Sequence, residues 1–122
     1  MFEVSVDKTI ACAHRLCGYD GPCEALHGHN YQIRVTYCGQ DLDQFGMLVD
    51  FCDIKKAFDM VLDTLDHKYL NDLPAFAELS PSAENIARHI FDELKKTAFE
   101  RGKLRCVTVW ETPTNIAVYS EE

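Results

Sequence analysis

Three histidines near the start of the chain are the residues best suited to metal chemistry. His27 and His29 flank a single glycine in the run CEALHGHNY (residues 23–31), and His14 follows an earlier strand-like segment. Residues two apart in a strand point to the same face, and pairing of the two strands would bring His14 beside them. Three imidazoles with one open position are a common catalytic zinc arrangement. The spacing by itself leaves two interpretations open, a zinc site and a turn in which the histidines are only structural.

Further side chains are suited to proton transfer. Cys23 lies in the loop that leads to these histidines, where a nearby cation would favour its thiolate as a base, a nucleophile or a fourth ligand. Asp66 and His67 are adjacent, which fits a proton relay, but the sequence alone favours a histidine that interacts with the helix dipole at the end of the first helix. Glu111 ends an apolar strand, and its carboxylate is either exposed there or directed into a pocket.

The elements that must position these groups follow from the spacing of the apolar residues. Alternation with period two predicts strands, and apolar residues three and four apart predict amphipathic helices. The predicted strands cover 2–13, 29–38, 103–111 and 116–120, the predicted helices cover 52–66 and 83–99, and a short extended piece is expected at 47–51. This order, ββααββ, predicts an α+β fold in which an antiparallel four-stranded sheet carries two helices on one face. Its open edges favour joining with other copies into an oligomeric barrel.

Local signals bound the two predicted helices. Asp50 or Asp53 is expected to cap the first helix, and Ser80 or Ser82 the second. Gly102 is expected to end the second helix.

Composition narrows the class of protein. The chain has 122 residues, which predicts one domain over 1–122, and a net charge of −8, which argues against binding nucleic acid or anionic membranes. There is no signal-like N-terminal segment and no apolar run near the roughly 20 residues of a membrane span, so a cytoplasmic protein is expected. In that reducing compartment the six cysteines are predicted to be free. Four of them are expected to serve only as small, buried apolar residues: Cys12, Cys38, Cys52 and Cys106.

Five short motifs together resemble one known family. They are AHRL (13–16), CEALHGHNY (23–31), LDHKYLND (65–72), PSAEN (81–85) and WET (110–112). Their order and spacing are similar to those of the 6-pyruvoyltetrahydropterin synthase family, over nearly the whole chain. Within the family, the chain resembles the bacterial and archaeal branch that makes 6-carboxytetrahydropterin for queuosine (7-deazaguanine) biosynthesis. The feature that indicates this branch is the gap of only three residues between Cys23 and His27.

The resemblance implies a fold, an assembly and a metal. The fold would be the tunnelling fold (T-fold), whose trimers close a barrel and pair into hexamers, with active sites at subunit interfaces. The metal would be Zn²⁺, held by His14, His27 and His29.

The resemblance also implies roles for the remaining groups. Cys23 would abstract a proton, with Asp66 and His67 as its relay. Glu111 would anchor the pterin ring, because a carboxylate can accept two hydrogen bonds from its N–H donors. Backbone groups near Ser82 and Ala83 would complete the ring contacts.

The implied activity is that of a zinc-dependent lyase. It would convert 7,8-dihydroneopterin triphosphate to 6-carboxy-5,6,7,8-tetrahydropterin, with release of acetaldehyde and triphosphate. Two alternatives stay open: a 6-pyruvoyltetrahydropterin synthase that stops after triphosphate elimination, and a non-catalytic pterin- or metal-binding module. Cations for the triphosphate are expected among Lys8, Arg15 and Lys68, which lie near the motifs.

Overall fold

The computed structural model of the protein describes residues 1–14 and 27–121, except for the side chain of His27. It contains a four-stranded sheet in the order β1-β2-β3-β4, with each strand antiparallel to its neighbours. The strands are β1 (Phe2–His14), β2 (His27–Gly39), β3 (Lys103–Trp110) and β4 (Ile116–Ser120), and the helices are α1 (Phe51–Leu62) and α2 (Ala83–Leu94). The predicted α+β fold with the order ββααββ is therefore confirmed.

Both helices pack on the same face of the sheet. Alternate side chains of the strands are buried there, as the period of two predicts: Val6, Ile10, Tyr31, Ile33, Val35, Val107 and Val109. Ile54 and Phe58 from α1 and Ile90 from α2 complete this core. Each large apolar side chain removed from water contributes about 1.5–3 kcal/mol, so the alternation fixes which face of each strand turns inward.

The starts of both helices follow from side-chain caps. The Asp50 carboxylate accepts a hydrogen bond from the Cys52 N–H at 2.8 Å, and the Ser82 hydroxyl accepts one from the Asn85 N–H at 3.2 Å. Of the predicted alternatives, Asp50 and Ser82 are thus the caps. The prediction of an extended piece at 47–51 is wrong, because residues 47–50 form the bend that leads into α1 and Phe51 begins that helix.

The second helix is shorter than predicted. It ends at Leu94 with Lys95 as its C-cap, so Gly102 does not end it. Gly102 instead allows a close approach to the core, because a Cβ atom there would lie 2.3 Å from a Val49 methyl group. The first helix also ends early, at Leu62, and the turns that follow carry the chain to the edge of β1.

The four cysteines in the described ranges are free, as predicted, but they differ in burial. Cys12 is buried, Cys38 and Cys106 are half-buried, and Cys52 is exposed. The expectation of a buried cysteine is therefore right for Cys12 and wrong for Cys52, which lies in the first turn of α1. Within these same ranges, the helices are too short or too polar to cross a bilayer.

Candidate functional site

The strand register brings two of the three predicted histidines together. In the β1–β2 ladder His14 lies opposite His27, and Cys12 lies opposite His29. The imidazole of His14 is fully buried, and its ring centroid lies 5.3 Å from that of His29, with the ring planes nearly perpendicular at 87°. The backbone of His27 is in the ladder, but its side chain lies outside the described part of the structure.

Glu111 joins this histidine pair. It follows the last residue of β3, and its N–H donates to the Asn115 carbonyl at 3.0 Å in the turn that leads to β4. One ligand atom each from His14, His29 and Glu111 lies within 4.8 Å of the other two. Ligands of one tetrahedral zinc lie roughly 3.4 Å apart, so small side-chain movements would suffice. This set of imidazole and carboxylate donors fits a metal ion.

A hydrogen bond from His14 to the segment just before α2 determines which nitrogen can bind a metal. Its Nδ1 lies 2.6 Å from the Pro81 carbonyl oxygen. A carbonyl can only accept, so Nδ1 carries the proton and a neutral ring keeps its lone pair on Nε2. Metal-binding histidines commonly donate their other ring N–H to such a partner.

Asp66 and His67 lie against the edge of β1. The His67 N–H donates to the Ala11 carbonyl at 2.6 Å, and the Ala13 N–H donates to the Lys68 carbonyl at 3.0 Å. The Asp66 carboxylate accepts from the Ala11 N–H at 2.9 Å and lies 3.0 Å from His67 Nδ1. Residues 66–69 thereby cover part of the open edge of β1.

The backbone of His67 adopts an unusual conformation. Its φ is +60°, in the left-handed region that costs a residue other than glycine of order 1–3 kcal/mol. The bonds to β1 hold it there, and its side chain is 81% exposed. Asp66 orients Nδ1–H, so Nε2 is turned to whatever approaches this edge. Cys23, the predicted partner of this relay, lies outside the described residues.

A surface cavity of about 460 Å³ adjoins both His29 and His67. His29, His67, Lys68 and Cys12 are among its lining residues. Burial and, to a lesser degree, the nearby Asp66 charge raise the pKa of the Cys12 thiol to about 12, so Cys12 stays protonated near neutral pH.

A second cavity, of about 300 Å³, has Glu111 in its wall. Ala83 and Glu84 at the start of α2 line it together with Glu111 and the β4 residues that follow the turn. The start of α2 and Glu111 are therefore neighbours, as the predicted substrate-binding role of Ser82, Ala83 and Glu111 requires.

The cations expected near the motifs differ in availability. Lys8 forms an ion pair with Asp59, so its charge is already matched. Lys68 lines the cavity beside His29 and His67, and it has no ion pair within residues 1–14 and 27–121. Arg15 lies outside those ranges.

Two partners of His14 were not predicted from the sequence. Tyr31 is two residues from His29 on the same strand face, so the period of two contained that signal. The Pro81 carbonyl contacts His14 only because α2 packs on the sheet, and no sequence pattern predicts this contact.

Comparison with known proteins agrees with this fold. The sequence model of the 6-pyruvoyl tetrahydropterin synthase family matches residues 3–122. The chain belongs to this family.

Individual relatives fall into two groups by name. The 6-carboxy-5,6,7,8-tetrahydropterin synthase of Haemophilus influenzae is 33% identical over 144 residues, which cover 99% of this chain and 100% of that protein. The human 6-pyruvoyl tetrahydrobiopterin synthase is 41% identical over 98 residues, which cover 79% of this chain and 67% of that protein. The solved structure of Caenorhabditis elegans 6-pyruvoyl tetrahydropterin synthase superposes with a TM-score of 0.88 at 31% identity, covering 99% of this chain and 96% of that one.

Proposed function

We propose that this protein is a zinc-dependent lyase that converts 7,8-dihydroneopterin triphosphate to 6-carboxy-5,6,7,8-tetrahydropterin, in queuosine (7-deazaguanine) biosynthesis. The observation that carries the proposal is the grouping of His14, His29 and Glu111. The Asp66 carboxylate lies 3.0 Å from His67 Nδ1, which gives the proposal a paired histidine and carboxylate for proton transfer. The relative from Haemophilus influenzae, which bears the name of this activity, supports it over the full length of both chains.

The zinc ligands are His14, His27 and His29. The ladder that sets His27 opposite His14, and the Nδ1–H of His14, support this set. When bound, zinc would make the substrate's side-chain hydroxyls more acidic. Glu111 is then left to accept hydrogen bonds from the pterin ring, with the start of α2 at Ser82 and Ala83 beside it.

Asp66, His67 and Cys23 move the protons. Asp66 accepts from His67 Nδ1–H, which leaves Nε2 to take up or release a proton. Cys23 is the residue that abstracts the substrate proton, and His67 passes that proton on. Triphosphate leaves, and the two-carbon end of the side chain departs as acetaldehyde. One water is consumed, because the carbon that stays on the ring ends as a carboxylate.

The assembly, the extent of the domain and the location complete the proposal. Residues 1–122 form one domain, and copies join into a T-fold barrel as a trimer or hexamer. Ile116 and Val118 of the edge strand β4 are 54% and 61% exposed, which supports burial by a neighbouring copy. The protein acts in the cytoplasm, and neither nucleic acid nor a membrane is a partner.

A second candidate is a 6-pyruvoyltetrahydropterin synthase. The human relative of that name, with its higher identity over a shorter stretch, favours it. The two candidate reactions differ in whether the bond between the first two carbons of the substrate's side chain is cleaved.

Product analysis separates these functions. Purified protein loaded with zinc is incubated with 7,8-dihydroneopterin triphosphate, and the pterin product is identified by mass spectrometry while acetaldehyde is trapped. We expect 6-carboxytetrahydropterin and acetaldehyde in equal amounts. A pyruvoyl product without acetaldehyde would support the second candidate, and binding without turnover would support a non-catalytic module. A Cys23→Ala variant should lose turnover but keep zinc, and loss of zinc in that variant would make Cys23 a ligand instead.

A further inference from the structure

The hydroxyl of Tyr31 lies against His14 in the interior of the site. Tyr31 is fully buried, and its oxygen lies 3.1 Å from His14 Nδ1 and 3.3 Å from His14 Nε2. Its ring stands at 81° to that of His14 and packs against that of His29, with centroids 5.4 Å apart. Tyr31 therefore touches both described histidines of the metal group.

The two distances show that the Tyr31 hydroxyl contacts the His14 ring without lying in the direction of the Nε2 lone pair. An oxygen in line with the Nε2 lone pair would lie much closer to Nε2 than to Nδ1. The observed oxygen is almost equidistant from the two nitrogens, so it lies over the face of the imidazole near Cε1. Nδ1 already donates to the Pro81 carbonyl, so a neutral ring carries its lone pair on Nε2, the nitrogen suited to bind a metal.

We propose that Tyr31 is a positioning residue for the metal, which acts together with the Pro81 carbonyl on His14. A half-turn of the imidazole about its Cβ–Cγ bond would put carbon where Nδ1 now faces the carbonyl. The Pro81 carbonyl thus selects one of two ring orientations, and the buried Tyr31 side chain, packed against the ring, holds the imidazole in place before the metal arrives. This inference rests on the proposed zinc site and extends it to the group behind the ligands.

The chain supplies a matched control at the other end of the same strand. Tyr37 is 1% exposed on the same face of β2, and its hydroxyl has no hydrogen-bond partner among the described residues. Tyr31→Phe and Tyr37→Phe therefore remove the same atom from equally buried sites, and only the first lies against a histidine.

The test measures metal binding directly. Zinc affinity is determined by competition with a chelator for the wild-type protein and both variants, and the absorption spectrum of the Co²⁺-loaded proteins is recorded. We expect Tyr31→Phe to weaken zinc binding about 10- to 100-fold and to change the Co²⁺ spectrum. Tyr37→Phe should leave both unchanged.

The outcomes separate this inference from the proposed function. If wild type binds zinc and Tyr31→Phe matches it in affinity and spectrum, Tyr31 has no positioning role and the proposed enzyme stands. Equal losses in both variants would indicate a general packing effect and also overturn the inference. A wild-type protein that binds no zinc would contradict the zinc site itself.

A second measurement needs no variant and so does not depend on the variants folding. In wild-type protein labelled with ¹⁵N at histidine, NMR should find His14 protonated at Nδ1 both without and with zinc. An Nε2-protonated His14 in the zinc-free protein would contradict the preset orientation.

Discussion

Glu111 can serve either as a metal ligand or as a ring anchor, and the two roles respond differently to loss of charge. Its carboxylate lies within reach of His14 and His29, yet it also lines the cavity at the start of α2. With His27 as the third imidazole, the site would be complete without it. We therefore assign Glu111 to the pterin.

Glu111→Gln should keep zinc and weaken substrate binding. The amide is similar in size, but it removes the charge and turns a donor toward the donors of the ring. Loss of a charged hydrogen bond costs about 1.5–3 kcal/mol, so affinity should fall about tenfold or more. Calorimetry with a pterin ligand and metal analysis test this, with Glu84→Gln as a control from the same cavity. A zinc-free Glu111→Gln protein would show that Glu111 is a ligand.

Of the two candidate cations in the described ranges, Lys68 is the one that the structure leaves available for the proposed triphosphate. It lines the cavity of His29 and His67 without an ion pair in the described ranges, whereas Lys8 is paired with Asp59. Lys68→Gln should raise KM about threefold to tenfold with a smaller effect on kcat, because an exposed charged contact is modest in strength. Steady-state kinetics at two salt concentrations measure this. Lys8→Gln is the control, and an equal effect of both variants would remove Lys68 from the site.

At the scale of elements, the segment after α1 acts as a short addition to β1. Three backbone or side-chain bonds from Ala11 and Ala13 hold residues 66–68, and they maintain His67 at its positive φ. The relay is thus built on a strand edge, although its residues come from a turn.

Asp66→Asn should disable the relay and leave the metal in place. The amide no longer favours His67 Nδ1–H by charge, and its NH₂ group can reverse the ring tautomer. We expect kcat to fall about 100-fold or more with zinc content unchanged, since Asp66 is not in the ligand group. Asp63→Asn, at the exposed C-cap of α1, controls for the loss of one negative charge. Near wild-type kcat in Asp66→Asn would exclude this pair from proton transfer.

At the scale of the whole molecule, the site divides into a part within one chain and a part open to a neighbour. His14, His29 and Glu111 come together in a single chain. His67 is 81% exposed beside an edge strand, where a second copy could approach it. We therefore expect His67 to serve the zinc site of an adjacent subunit.

Subunit exchange between inactive variants tests this division. Mixing His29→Ala with His67→Ala should restore part of the activity, because one neighbouring pair then has an intact ligand group and an intact relay. Mixing His29→Ala with His14→Ala should restore none, since both residues belong to the same chain's site. Mass spectrometry must confirm exchange. Without recovery in the first mixture despite exchange, His67 would act within its own chain.

The sequence by itself determined the order of elements and most of the residues that are proposed for the site. Alternation with a period of two marked β1 and β2, and with it the shared face of His29 and Tyr31, because burial of one sheet face leaves no other register. The motifs around His14, His67 and Glu111 indicated the family. The match of the family model to residues 3–122 confirms it. Local rules failed where tertiary contacts decide: Gly102 meets Val49 instead of ending α2, and Cys52 is exposed.

Only the tertiary structure decided how these residues meet. The Pro81 carbonyl reaches His14 because α2 packs on the sheet, and this bond selects the nitrogen that stays open. His67 holds a left-handed backbone because Ala11, far from it in the sequence, supplies the hydrogen bonds. Distances of this kind depend on packing between elements distant along the chain, and a one-dimensional pattern records spacing within an element but not the approach of one element to another.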